Sequence, residues 1–156
     1  MSIDITSPFT GSTITGFTSP TYDYVEDHVP PGVAGEQVAV DTIGGTQANV
    51  NAHSVSSPFT ITVTRPRTFK SLPTVNPVTG TLPNVPRNVY KVILRKGVNP
   101  LSGQPDVPML CTGEFHVPAG ADTADPENVK AAVCAFIGLL NDQSDGIADM
   151  TINGIL

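Results

Sequence analysis

The feature that most limits what this chain can fold into is a change of hydrophobic period partway along it. From Pro58 to Thr64 (PFTITVT) apolar and hydroxyl residues alternate. Phe59, Ile61 and Val63 fall on one side and Thr60, Thr62 and Thr64 on the other, the period-two pattern of a half-buried antiparallel strand. Asn88–Lys96 (NVYKVILRK) repeats it, with Tyr90, Val92 and Leu94 opposite Lys91, Ile93 and Arg95. Met109–Val117 (MLCTGEFHV) sets Met109, Cys111, Phe115 and Val117 opposite Leu110, Thr112, Glu114 and His116. After Pro118-Ala119-Gly120 the period becomes 3.6. Asp125 predicts an N-cap, Pro126 suits the first helical position, and Glu127 favours the helix dipole. Val129, Ala132, Val133, Phe136, Ile137 and Leu140 then form one apolar stripe, on a helix running to about Asn141. Asp142–Gly146 is a break, and Ile147–Ile152 predicts one more short helix.

Strands followed by helices give an α+β class. The stripe must cover an apolar sheet face, yet one long helix cannot cover five or six strands. A bare apolar face is a large exposed patch, so the pattern predicts that a second chain supplies the missing cover.

The rest of the chain is turn-rich. Ser12–Phe17, Tyr22–Val25 and Gln37–Asp41 are β-prone, and Pro30-Pro31-Gly32 and Gly44-Gly45 read as turns. The stretch from Arg65 to Arg87 is long for a loop, which predicts a hairpin or a function within it. Gly97–Pro108 is a loop stiffened by prolines. The whole 156 residues make one domain: a turn-rich β start (1–56), central strands (57–117) and C-terminal helices (125–156). With 14 glycines, 15 prolines and no tryptophan, composition favours strands and turns over a helical bundle. Charged residues are only 14% of the chain and hydrophobic ones 39%, which excludes a disordered class.

The start, MSIDITSPF, is a poor signal peptide, and Met1 beside Ser2 is expected to be removed. The apolar run Ala131–Leu140 is too short to span a bilayer. Cys111 and Cys134 read as two buried free thiols, not a disulfide or a metal site.

Net charge is −6, but its distribution matters more. No acidic residue lies between Asp41 and Asp106, and that stretch holds Arg65, Arg67, Lys70, Arg87, Lys91, Arg95 and Lys96. A solvated surface with segregated charge and a face for polyanions both fit this pattern. The enzyme reading finds little: no nucleophile elbow, phosphate loop, zinc motif or ligand-spaced histidines. His28, His53 and His116 read as ordinary surface or strand residues. The cluster Asp23, Glu26, Asp27, His28 is the one candidate for catalysis. The hydroxyls and cations opposite the core suit phosphate and base edges if the three strands are neighbours, with Glu114 accepting from a base or pairing with Arg95.

The run from Gly113 onward resembles the end of the coat proteins of the small single-stranded RNA bacteriophages, the leviviruses. Glu114, Val117-Pro118, Leu139-Leu140-Asn141-Asp142 and Gly154-Ile155-Leu156 stand in the family's places, and FTITVTRP and VYKVILRK fit its central strands. The resemblance covers residues 57–156; the first 56 match in style only. It implies an N-terminal β-hairpin, a five-stranded antiparallel sheet and two C-terminal helices, in an intertwined dimer with one continuous sheet. Each helix pair lies over the partner's sheet, with Val129, Val133, Phe136, Ile137 and Leu140 in the interface.

Dimers in the family build an icosahedral T=3 shell, found in the virion and assembled in the bacterial cytoplasm. The other sheet face binds genomic RNA, including a hairpin that represses translation. The family's RNA-facing positions fall on Thr60, Thr62, Thr64, Lys91, Arg95, Thr112, Glu114 and His116. Arg65, Arg67, Arg87 and Lys96 are expected to add phosphate neutralisation. Leu110 stands where some members carry a base-stacking tyrosine, and Gly97–Pro108 matches the loop that gathers at the symmetry axes. No catalytic residue, metal, cofactor, membrane or small-molecule substrate is implied. The rival reading is a phage structural or adhesion β module that binds no RNA.

Overall fold

The computed structural model describes residues 3–155, so the expectations for Met1 and Leu156 lie outside the described residues. Six strands form one antiparallel sheet in chain order: β1 (Phe9–Thr10), β2 (Thr18–Asp27), β3 (Ala34–Thr46), β4 (Phe59–Arg65), β5 (Arg87–Val98) and β6 (Val107–Pro118). Three helices follow: α1 (Ala121–Ala124), α2 (Pro126–Asp142) and α3 (Ser144–Asn153). The expected architecture is present, with two corrections of count. No separate hairpin stands beside a five-stranded sheet among the described residues: all six strands, the N-terminal ones included, lie in one sheet, and a four-residue helix precedes the expected pair.

The N-terminal strands join the sheet because β3 is long. Its first half, Ala34–Ala39, pairs with β4, while its second half runs past β4 and pairs with β2 alone. Asp41 is left unpaired between Val40↔Tyr24 and Thr42↔Asp23, a bulge that bends the strand. Gly44-Gly45 is not a turn but part of this strand. Gly45 sits at φ +73°, and a Cβ there would collide with the Ser19 carbonyl oxygen. The glycine pair permits close strand approach, the second use of glycine after turns.

Ser12–Phe17 is not a strand either. Its polar groups go to the helices: the Thr15 amide donates to Asp145 Oδ1 (2.6 Å), Ser144 Oγ to the Thr13 carbonyl (2.9 Å) and Ser12 Oγ to Asn141 Oδ1 (2.9 Å). These bonds clasp the β1–β2 loop to the α2–α3 corner. The stretch after β4 contains no hairpin of strands. It closes one tight turn, in which the Asn76 amide donates to Thr81 O (2.9 Å) and Gly80 takes φ +67°. Buried Asn88 anchors the loop, accepting from the Lys70 amide (2.9 Å) and donating to its carbonyl (3.3 Å).

Asp125 caps α2 as expected, its carboxylate accepting from the Asn128 amide at 3.4 Å. Gly154, at φ +68°, ends α3 with its amide on Met150 O. The core is thin. Among the described residues the buried hydrophobics are Val38, Ala39, Val40, Phe59 and Ala119, and none lies on α2 or α3. Val38 and Val40 are fully buried, worth roughly 1.5–3 kcal/mol each. A line of rings continues this centre: Phe9 on Tyr22 (5.1 Å) and Tyr22 edge-on to Phe59 (5.7 Å).

Candidate nucleic-acid interface

Register decides which side chains share a face. β4, β5 and β6 are consecutive neighbours, so cross-strand partners line up in rows. One row is Ala39, Thr60, Arg95, Leu110; the next is Gln37, Thr62, Ile93, Thr112; the third is Gly35, Thr64, Lys91, Glu114; the last pairs Val89 with His116. All eight residues expected to face RNA therefore lie on one face. Arg87, two residues before Val89, joins them.

The rows also carry corrections. Glu114 pairs with Lys91 and not Arg95: Lys91 Nζ lies 2.7 Å from Oε1 and His116 Nε2 lies 3.1 Å from Oε2. Donation from Lys91 and then from His116 holds the Glu114 carboxyl below its usual range. Thr60 and Thr62 are buried, at 6% and 3% exposure, because longer neighbours lie across the short threonines. Arg95 Nη1 donates to Thr62 Oγ1 (2.8 Å), which donates to Gln37 Oε1 (2.8 Å). Gln37 Nε2 in turn donates to Asp27 Oδ2 (2.6 Å). The bond from Gln37, with one from the His28 amide, pulls the Asp27 carboxyl below its usual range.

Gln37 and Asp27 were not among the residues expected on the RNA face. The signal was in QVAVD, where Gln37 alternates against Val38 and Val40. Arg65 and Lys96 leave the expected set, since alternation puts both on the opposite face. Arg65 lies 5.9 Å from the Phe69 ring; Lys96 stacks over Phe59 at 4.8 Å and donates to Asn51 O at 2.7 Å. Burial pushes the Lys96 ammonium down from its ordinary value. Arg67 stands in the loop after β4.

The opposite face is apolar and open. A groove of about 910 Å³ separates α2 from Tyr90, Val92, Leu94, Cys111 and Phe115. A second hollow of about 460 Å³ lies between α2 and Glu114, His116 and Pro118. Val129, Val133 and Phe136 line both, so α2 overhangs β6 with space on either side. Its ring contact with its own sheet is Phe136 edge-on to Phe115 at 5.6 Å. Phe136, Ile137 and Leu140 remain 41%, 55% and 44% exposed. Both cysteines are exposed too, against the expectation of burial, with Cys111 lining the open groove.

A chain solved as the virus-like particle of bacteriophage ESE020 has this same structure. The TM-score is 0.95 and the identity 50%, over 99% of this chain and 100% of that one. The chain belongs to the levivirus-like phage coat proteins. A remoter similarity, to the virus-like particle of Beihai levi-like virus 32, has a TM-score of 0.44 and 16% identity over 86% of this chain and 88% of that one. No family model and no curated protein matches the chain.

A coat protein has a structural role in a capsid. Asp27 and His28, from the cluster considered for catalysis, lie exposed near the end of β2, with Asp27 occupied by Gln37 and the His28 amide. Among the described residues no three His, Cys, Asp or Glu side chains are placed to hold a metal ion, and no helix is long and apolar enough to cross a membrane.

Proposed function

We propose that this coat protein dimerises through β6 and α2, closes into an icosahedral shell and packages genomic RNA on the hydroxyl-and-cation face. One observation carries the reading: the two faces of the β4–β6 sheet differ in kind. The face beneath α2 is apolar and open, and β6 is an edge with unpaired backbone groups. A second copy, related by a two-fold axis, pairs the β6 edges and lays its α2 into the groove. Val129, Val133, Phe136, Ile137 and Leu140 are the side chains that close that interface. The ESE020 particle supports assembly of such subunits into a shell.

On the other face Lys91, Arg95 and Arg87 neutralise phosphate, while Thr64, Thr112, Glu114 and His116 meet sugar and base edges. Thr60 and Thr62 lie beneath them, and Thr62 holds Arg95. Binding of an RNA hairpin there would let the dimer act as a translational repressor. Leu110, 61% exposed beside Arg95, offers a base an apolar contact in place of an aromatic stack.

Expression of the full chain alone, followed by electron microscopy and the ratio of absorbance at nucleic-acid and protein wavelengths, tests this. The reading expects closed particles containing RNA, and RNA affinity of the dimer falling steeply with salt. Closed particles without RNA, unchanged by removing Arg87, Lys91 and Arg95, refute the RNA assignment. Open or trimeric assemblies refute the shell.

A further inference from the structure

The polar face contains a chain of donors and acceptors whose direction is fixed from one end. Asp27 on β2 is ionised and accepts only. Its Oδ2 therefore takes the amide nitrogen of Gln37 (2.6 Å), while Oδ1 takes the His28 amide (2.7 Å). That choice turns the Gln37 oxygen toward β4. Thr62 must then spend its single proton on Gln37 Oε1 (2.8 Å). With its proton committed, the Thr62 oxygen presents lone pairs toward β5. Arg95, which has donors and no acceptor, suits that place, and its Nη1 donates at 2.8 Å. The chain crosses four strands: Asp27, Gln37, Thr62, Arg95.

We infer that Asp27 is a positioning residue for Arg95, setting through Gln37 and Thr62 the pose in which the guanidinium meets RNA phosphate. The inference rests on the RNA reading of this face and adds to it a residue on the distant strand β2. Burial of the middle link is part of the device. Thr62 is shielded from water, so its hydroxyl has no solvent partner to turn to, and a change at exposed Asp27 passes along the chain instead of being absorbed.

Positioning and simple electrostatics predict opposite signs, which makes the idea testable. Removing a carboxylate from a face that binds a polyanion raises affinity if charge alone matters. If Asp27 positions Arg95, D27A lowers affinity, by about threefold to tenfold for a lost hydrogen-bond link. D27N keeps an oxygen that accepts from Gln37 and restores binding to the wild-type level or above it.

The measurement is fluorescence anisotropy of a labelled mixed-sequence single-stranded RNA with full-length protein kept below its assembly concentration. Six proteins are compared: wild type, D27A, D27N, R95A, Q37A and the double variant Q37A/D27A. R95A weaker than wild type, D27A weaker and D27N restored is the expected pattern. In a Q37A background, D27A is expected to have no further effect. D27A equal to D27N, with both tighter than wild type or unchanged, overturns the positioning role and leaves the RNA reading standing. R95A unchanged overturns the RNA reading of the face itself.

Discussion

Ile137 gives the sharpest measure of how much the open groove matters. It lies on the stripe of α2, lines the groove and is 55% exposed in the single chain. Ile137→Ala removes three carbon groups, worth roughly 0.8 kcal/mol each when moved from water to an apolar environment. About half of that transfer is still to be made when a partner arrives, so the loss is roughly 1.3 kcal/mol at each site. Two-fold symmetry doubles it to roughly 2.6 kcal/mol per dimer, or about 80-fold in the dissociation constant. The assay is urea unfolding of the full-length protein at several concentrations. Wild-type midpoints should rise with concentration, because association stabilises the folded chain by mass action. Ile137→Ala should keep that dependence and lose roughly 4.8 kcal/mol in all, the interface share plus the part already buried within each chain. A concentration-independent midpoint, or a loss below roughly 0.5 kcal/mol of the kind usual for an open surface, would refute the reasoning.

Asn88→Ala removes both bonds that hold the Lys70 backbone, and urea unfolding should show a loss of roughly 1–3 kcal/mol; no loss would mean the loop after β4 anchors elsewhere. Gly45→Ala meets a positive φ and the Ser19 carbonyl together, and should lower the melting temperature by several degrees, whereas an unchanged value would contradict the close approach of β2 and β3. The Glu114 carboxyl is held low by Lys91 first and His116 second. Its contribution to stability is therefore complete above the unfolded-state pKa of about 4.3 and fades as pH falls through the lower folded value. Carbon-detected titration should show Lys91→Met raising that folded value, and an unmoved titration would remove the pair from the account.

What the sequence revealed depended on how local each signal was. Alternation in Phe59–Thr64, Asn88–Lys96 and Met109–Val117 placed every one of those side chains on the correct face, because period two follows from the strand backbone alone. The α2 boundaries were legible from Asp125, Pro126 and the stripe. The misreadings came from groups whose partners are distant in sequence. Ser12–Phe17 has β-forming residues, but Asp145 and Ser144 take its backbone groups. Gly44-Gly45 has the chemistry of a turn, and only the approach of Ser19 shows that it lies within a strand. Lys96 belongs to a basic run, yet register puts it over Phe59. The Asp27–Gln37–Thr62–Arg95 chain needed four strands to be aligned, and no spacing within the sequence encodes that. The thin core was legible in outline, since one helical stripe is too little for the sheet.

Residue-resolved amide hydrogen exchange on β6 in the full-length protein tests the central claim most directly. Half of the β6 amides bond to β5, and the others point away from the sheet in the single chain. If two copies join at this strand, the outward amides should exchange as slowly as those between β4 and β5. Exchange of the outward set at the rate of an unpaired edge, while the inward set stays protected, would show that the edges do not meet.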